Sequence, residues 1–386
     1  MLPHIPFNKP FITGKELCYI AQAITAGQVA GDGEFTRRCS RVLEEQFGIQ
    51  KVLMTSSCTA ALEIAAMLCE LGPGDEVILP SFTFVSTANA FIRGGATPVF
   101  VDIRPDTLNL DEHLLEAAVT PRTRVIVPVH YAGVACAMER LMTIATHHQL
   151  VVVEDAAQGV NAFYAGRALG SMGHLGTYSF HATKNYIAGE GGALCLNAPA
   201  LVDRAEILRD KGTNRRQFIR GEVDKYTWVD VGVSAAPSEL CCAFLYAQLQ
   251  MLDVMTARRR HLYETYYDRL RPLEARGLLR LPCIPASCVS NYHLFYILLP
   301  TQAARNALLA YLQQHNIQAA FHYIPLHSSP MGQQFGYKAE DLPITEEVSG
   351  CLLRLPLYYD LTEEQQRYVV QYVTKGVERF AKDPPC

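Results

Sequence analysis

Through its first two thirds the chain alternates short apolar or β-branched runs with longer amphipathic stretches, and this rhythm limits the fold more than any other feature of the sequence. The runs Lys51 to Thr55, Glu76 to Pro80, Pro98 to Ile103, Arg124 to Val129, Val151 to Asp155, Gly176 to Phe180 and Gly192 to Asn197 have the length of strands. Between them Thr59 to Leu71, Thr83 to Arg93, Asp111 to Val119 and Met138 to His148 have the length of crossover helices. Such alternation predicts an α/β fold whose mostly parallel, seven-stranded sheet lies between helices. Ligands of such sheets gather beyond the carboxyl ends of the strands. Asp155 and Ser179 fall at or beside such ends, and Lys184 follows a few residues later.

The rhythm breaks after a helical segment that begins near Pro237 and runs through Arg258, Arg259 and Arg260. The last third of the chain reads as a smaller α+β unit, with a Tyr- and Arg-rich helix to about Leu270, a strand at His293 to Leu299, and helices at Thr301 to His315 and Thr362 to Phe380. A chain of 386 residues exceeds what one core usually organises, so two domains are expected, at 1–250 with an N-terminal arm and at 251–386. The end, Asp383-Pro384-Pro385-Cys386, reads as a frayed tail. A net charge of -4 offers no basic field for nucleic acid. The amino terminus lacks a basic segment followed by an apolar run, and no stretch is long and apolar enough to span a bilayer, so a cytoplasmic protein without membrane association is expected. None of the 12 cysteines forms a C-x-x-C pair; they are expected to be thiols, with no metal site.

Between Leu169 and Gly189 the only formal charge is Lys184, set in Ser179-Phe180-His181-Ala182-Thr183-Lys184-Asn185. Apolar surroundings favour the neutral amine, which is a nucleophile for aldehydes. An aldehyde cofactor such as pyridoxal phosphate also needs a phosphate cradle, a stacking partner and a carboxylate at its ring nitrogen. Thr55-Ser56-Ser57-Cys58-Thr59-Ala60-Ala61 leads from a strand into a helix, where free amides and hydroxyls bind anions, although a simple serine N-cap would look the same. Phe84 follows another strand and is either a stacking ring or plain core. Asp155, after Val151-Val152-Val153, is either the ring-nitrogen carboxylate or a helix cap, and Gln158 stands close enough in sequence to bond the ring oxygen. Ser179 is a further phosphate donor, and Gly189-Glu190-Gly191-Gly192 is a turn that lets backbone approach a ligand.

On these residues, together with Gly31-Asp32-Gly33, Gly72-Pro73-Gly74-Asp75-Glu76, Pro80 to Ala88 and Val101-Asp102, the chain resembles the DegT/StrS family of sugar nucleotide aminotransferases over nearly its whole length. The resemblance implies a fold-type I pyridoxal phosphate enzyme in which Lys184 carries the cofactor and Asp155 meets the ring nitrogen. It also implies that Gln158 meets the ring oxygen, that Phe84 stacks, and that Ser57, Cys58, Thr59, Ala60 and Ser179 hold the phosphate. L-Glutamate as donor, a nucleotide-linked keto sugar as acceptor, and a homodimer with shared active sites are implied by the same resemblance. Many relatives carry an asparagine that reaches the phosphate from the neighbouring subunit where this chain has Ser234. The segment Phe321-His322-Tyr323-Ile324-Pro325-Leu326-His327 is expected to supply substrate contacts through His322, Tyr323 and His327, joined by His181 and, toward a diphosphate, by Asn214, Arg215 and Lys225. A related branch that removes a sugar hydroxyl has histidine at the lysine position, so Lys184 argues against it. A regulatory protein retaining the fold is the remaining competitor.

Overall fold

The computed structural model describes residues 4–380, so the tail from Asp383 lies outside the described residues. Five strands come first in the chain: β1 (Lys51–Thr55), β2 (Glu76–Pro80), β3 (Thr97–Val101), β4 (Thr123–Ile126) and β5 (Val151–Asp155). After a short hairpin, β6 (Phe163–Tyr164) and β7 (Arg167–Ala168), come β8 (Leu175–Ser179) and β9 (Gly192–Leu196). The main sheet has the order β1-β9-β8-β5-β4-β2-β3. Neighbours from β8 to β3 run parallel, and β9 alone is reversed, antiparallel to both β1 and β8. Every residue of β2, β8 and β9 is buried, as a sheet covered on both faces requires.

Alternate side chains along each strand feed two separate apolar layers. Val52, Met54 and Val152 pack on one face with Phe35, Cys39, Leu43 and Phe47 of α2 (Glu34–Phe47), which follows α1 (Glu16–Thr25). Leu53, Val153 and Leu194 pack on the other with α3 (Cys58–Leu68) and α4 (Val85–Arg93) through Leu62, Ile64, Ala65 and Phe91. At the start of β9 only glycine fits: a Cβ on Gly192 would stand 2.4 Å from the amide nitrogen of Cys58, under the first turn of α3.

The seven expected strands are present. The expected helix at Asp111 to Val119 shrinks to one turn, Leu115–Ala118, because Asp111 Oδ1 accepts the His113 amide at 2.9 Å and Glu112 turns back to Arg104 at 2.8 Å. The stretch from Pro237 is two helices, Glu239–Leu249 and Leu252–Glu274, meeting at 62°. Among the described residues no single helix is long and apolar enough to cross a membrane.

A further apolar cluster gathers Leu262, Tyr266 and Leu270 of the long helix with Phe295, Ile297, Leu353, Leu355 and the helices Gln302–Gln314 and Glu363–Phe380. Its sheet pairs β11 (Phe295–Leu298) with β12 (Leu352–Leu355), antiparallel, after the short β10 (Cys288–Val289), which joins β6. No strand was expected at β12 from the sequence. Ile5 belongs to the same cluster and bridges Ile317, so the chain's beginning is packed onto its last third.

Candidate active site

The carboxyl ends of β1, β2, β5 and β8 face one cavity of about 410 Å³. Ser57, Cys58 and Thr59 reach it from the first turn of α3, Phe84 from the N-cap of α4, and Asp155, Gln158, Ser179, His181 and Lys184 from the strand ends and the loop beyond. Asp155 is buried and doubly oriented: Oδ2 accepts the Thr87 hydroxyl at 2.7 Å and Oδ1 the Ala157 amide at 3.1 Å. Gln158 is fixed at both ends of its amide, Oε1 accepting the Ala132 amide at 2.7 Å and Nε2 donating to the Tyr323 hydroxyl at 3.0 Å. Phe84 is 57% exposed and lines the cavity; the plain-core reading of this ring does not hold.

Lys184 sits in a tight loop closed by its own amide on His181 O at 2.9 Å and by the Ala182 amide on Gly189 O at 2.8 Å. Its accessible surface faces the cavity, yet protein surrounds it closely enough that burial holds the ammonium below its ordinary pKa. Cys58 and Asp155 oppose that shift, and Arg354 adds to it. Burial, reinforced by Asp155, pushes the Cys58 thiol up to about 12, so at neutral pH it carries no charge and the attraction left for an ammonium comes from Asp155.

The opposite wall comes from distant parts of the chain: Phe7, Asn8, His293, His322, Tyr323 and Arg354. His322 stacks on Tyr323 with ring centroids 3.6 Å apart, and its Nδ1 lies 3.1 Å from the Tyr131 hydroxyl. Burial, then the charges of Arg354 and Lys184, push its imidazole down to about 2. His293 is held far below its usual value by burial and by Lys184, and its Nδ1 meets Asn185 Oδ1 at 2.9 Å. Of this wall only His322 and Tyr323 stood out in the sequence. His130, also in the lining, did not: its Nδ1 accepts the Cys136 amide, leaving Nε2 to donate at 2.8 Å to Glu154, the residue before Asp155. Glu154 also accepts the amides of Gly170, Met172 and Gly173, which anchors the end of β5.

Six expected contacts do not line the cavity. Ala60 turns its amide to Ser57 Oγ at 3.0 Å, so Ser57 does cap α3. His327 is fully buried between Ser81, whose Oγ lies 2.7 Å from Nδ1, and the Tyr337 ring; packing consumes it. Asn214 spends its Oδ1 on the Thr227 amide, Arg215 leans on Asp210 at 3.5 Å, and Ser234 pairs with Asp210 through backbone. Lys225 is exposed in the same segment.

Residues 10–374 match the DegT/DnrJ/EryC1/StrS aminotransferase family, and the chain belongs to that family. It is 34% identical over 377 residues to the spore coat polysaccharide biosynthesis protein SpsC of Bacillus subtilis (strain 168), covering 96% of each chain. It is 38% identical over 323 residues to a pleiotropic regulatory protein of Geobacillus stearothermophilus, covering 83% of each. Among solved structures it is similar to the putative sugar aminotransferase Spr1654 from Streptococcus pneumoniae in its PMP-form, with a TM-score of 0.91, 26% identity and 98% of each chain covered. The PLP-form of that protein gives 0.90 over 98% of this chain and 99% of that one, again at 26% identity. The protein is thus a pyridoxal phosphate-dependent aminotransferase of fold type I. The donor set fits that cofactor, with an oriented buried carboxylate, an amine of lowered basicity and a helix start with open hydroxyls facing one space.

Proposed function

We propose that the chain moves the amino group of L-glutamate to the fourth sugar carbon of dTDP-4-dehydro-6-deoxy-D-glucose. The products are dTDP-4-amino-4,6-dideoxy-D-galactose and 2-oxoglutarate, and the route is cytoplasmic synthesis of a cell-surface polysaccharide. The observation that carries the chemistry is Lys184 and Asp155 lining one cavity with the Ser57 to Thr59 turn. Pyridoxal phosphate, when bound, supplies an electron sink for the pair left as a proton departs from carbon. Asp155, steadied by Thr87 and Ala157, would hold the ring nitrogen, and Gln158, steadied by Ala132, the ring oxygen. Ser57, Cys58, Thr59 and Ser179 would hold the phosphate, and Phe84 the ring. Burial lowers the basicity of the Lys184 Nζ and so favours the neutral amine, the form that takes a proton from one carbon and returns it to another.

The sugar class is supported by what the Bacillus and Streptococcus relatives are named for. The particular acceptor is supported by Gly31 to Cys39, Pro128 to Cys136, Lys211 to Arg215 and Val223 to Trp228, which resemble the dTDP-4-amino-4,6-dideoxygalactose transaminase of enterobacterial common antigen synthesis. A homodimer accounts for the segment that misses this chain's own cavity: Asn214, Arg215, Lys225 and Ser234 flank Trp228 and Val231, which are 73% and 68% exposed, a surface suited to a second copy and its site.

Incubation with L-glutamate and a panel of nucleotide-linked keto sugars, with the product then identified by mass and proton couplings, tests the reading. An axial 4-amine on the dTDP sugar is the expected product; an equatorial amine, or preference for a UDP or GDP sugar, overturns the named substrate. The Geobacillus relative is named as a pleiotropic regulatory protein, which supports one competitor, a regulatory role on the same fold. That role survives only if Lys184→Ala leaves the biological phenotype unchanged.

A further inference from the structure

Two buried arginines, Arg209 and Arg259, bond within the protein and do not line the cavity. Arg209 pairs with Asp32 and donates to Met54 O at 2.9 Å, and Arg259 donates to Tyr292 O at 3.0 Å, Leu357 O at 3.2 Å and also His293 O. Arg354, on β12, is half-buried. It lines the cavity, its Nη2 donates to Phe321 O at 3.0 Å, and among the described residues its Nε is buried with no partner and no carboxylate pairs with it. A guanidinium taken from water without a counter-charge is costly unless a ligand supplies one.

The guanidinium also rests on a ring: its Cζ stands 4.7 Å from the centroid of the Phe7 ring, a cation-π contact. Phe7 is itself anchored, its amide on Gln318 Oε1 at 3.2 Å and the preceding Ile5 bridged to Ile317. The next residue, Asn8, donates to Ala182 O at 3.4 Å, two residues before Lys184. One short segment therefore carries the platform for Arg354 and touches the loop of the amine.

We propose that Arg354, held against Phe7, receives the α-carboxylate of the amino donor, which makes residues 5–8 part of the donor site. The donor's carboxylate is bonded directly to its reacting carbon, whereas the diphosphate of a nucleotide-linked sugar is separated from the fourth carbon by the width of the ring. Arg354 shares the cavity with Lys184, and its charge is felt there and at His293 and His322, which suits the nearer group. Phe7 is a positioning residue. The inference rests on the aminotransferase reading but not on the acceptor's identity.

The test separates the two half-reactions of the holoenzyme. With L-glutamate alone, monitored by cofactor absorbance, Arg354→Gln is expected to raise the donor KM on the order of 100-fold, and Arg354→Lys about 10-fold. Binding of 2-oxoglutarate by calorimetry weakens in parallel, while the KM for the keto sugar stays within about 3-fold. Phe7→Ala raises the donor KM about 10-fold with kcat nearly unchanged, and Phe7→Tyr restores it. A donor KM and 2-oxoglutarate affinity unmoved in Arg354→Gln, or a rise confined to the keto sugar, overturns the proposal. If no nucleotide-linked keto sugar is aminated while the glutamate half-reaction still depends on Arg354, the acceptor reading falls and this one stands.

Discussion

The two walls of the cavity are built on different principles. The wall along the sheet takes its residues from places where backbone geometry already faces a ligand: the start of α3, the N-cap of α4, and the ends of β5 and β8. The opposite wall has no such rule. Phe7 arrives from the first residues of the chain, His293 from the approach to β11, His322 from an irregular loop and Arg354 from β12. The first wall offers hydroxyls, amides, the Lys184 amine and the carboxylates of Asp155 and Glu190; the second offers rings and the Arg354 cation, with two histidines whose charging is strongly opposed. The difference suits a division between a wall that holds a fixed cofactor and one that admits exchanging substrates.

The sharpest way to break this division is Lys184→Ala. Turnover is expected to fall by about 10⁴-fold or more, and borohydride no longer fixes the cofactor to the protein, while the thermal transition stays intact. Asp155→Asn is expected to lower kcat by roughly 10² to 10³-fold. Thr87→Val, which removes one donor to that carboxylate, lowers it by about 10-fold, read in the same steady-state assay. Should Thr87→Val match Asp155→Asn, orientation rather than charge would be the larger part of Asp155's contribution.

These differences also explain what the sequence disclosed. Asp155, Ser179 and the Ser57 turn were legible because a strand end or helix start fixes where a residue points, and local pattern locates both. Lys184 was legible through the uncharged stretch around it. His322 and His327 show the limit. They lie five residues apart in one loop, yet His322 enters the cavity and His327 turns to Ser81, a partner 246 residues away. Arg354 was invisible because β12 was, and β12 is specified by pairing with β11 rather than by a pattern of its own.

That contrast sharpens under substitution. His327→Ala removes the imidazole partner of the buried Ser81 hydroxyl, which keeps only the amide of residue 327, a loss of about 1 to 3 kcal/mol, so Tm is expected to drop by several degrees while kcat/KM changes less than about 3-fold. His322→Ala is expected to do the reverse. Calorimetry and steady-state kinetics on the pair decide whether the wall is assigned correctly; equal effects on both measurements would merge the two histidines into one structural role.

The smallest effect is the pH dependence of stability. His322 titrates near its ordinary 6.5 in the unfolded chain and at about 2 in the folded one, because burial and the neighbouring Arg354 and Lys184 oppose a third positive charge. Below pH 6.5 the unfolded chain therefore binds a proton that the folded chain refuses, and stability is lost as pH falls through this window. His293, lowered by the same neighbours, adds a slope of the same sign. Removing one of the two by His322→Asn is expected to shallow the decline of Tm between about pH 6.5 and 4.5 without abolishing it. A variant whose Tm falls as steeply as the parent's over that range would mean that His322 accepts its proton in the folded state, and that this wall is wetter than its packing implies.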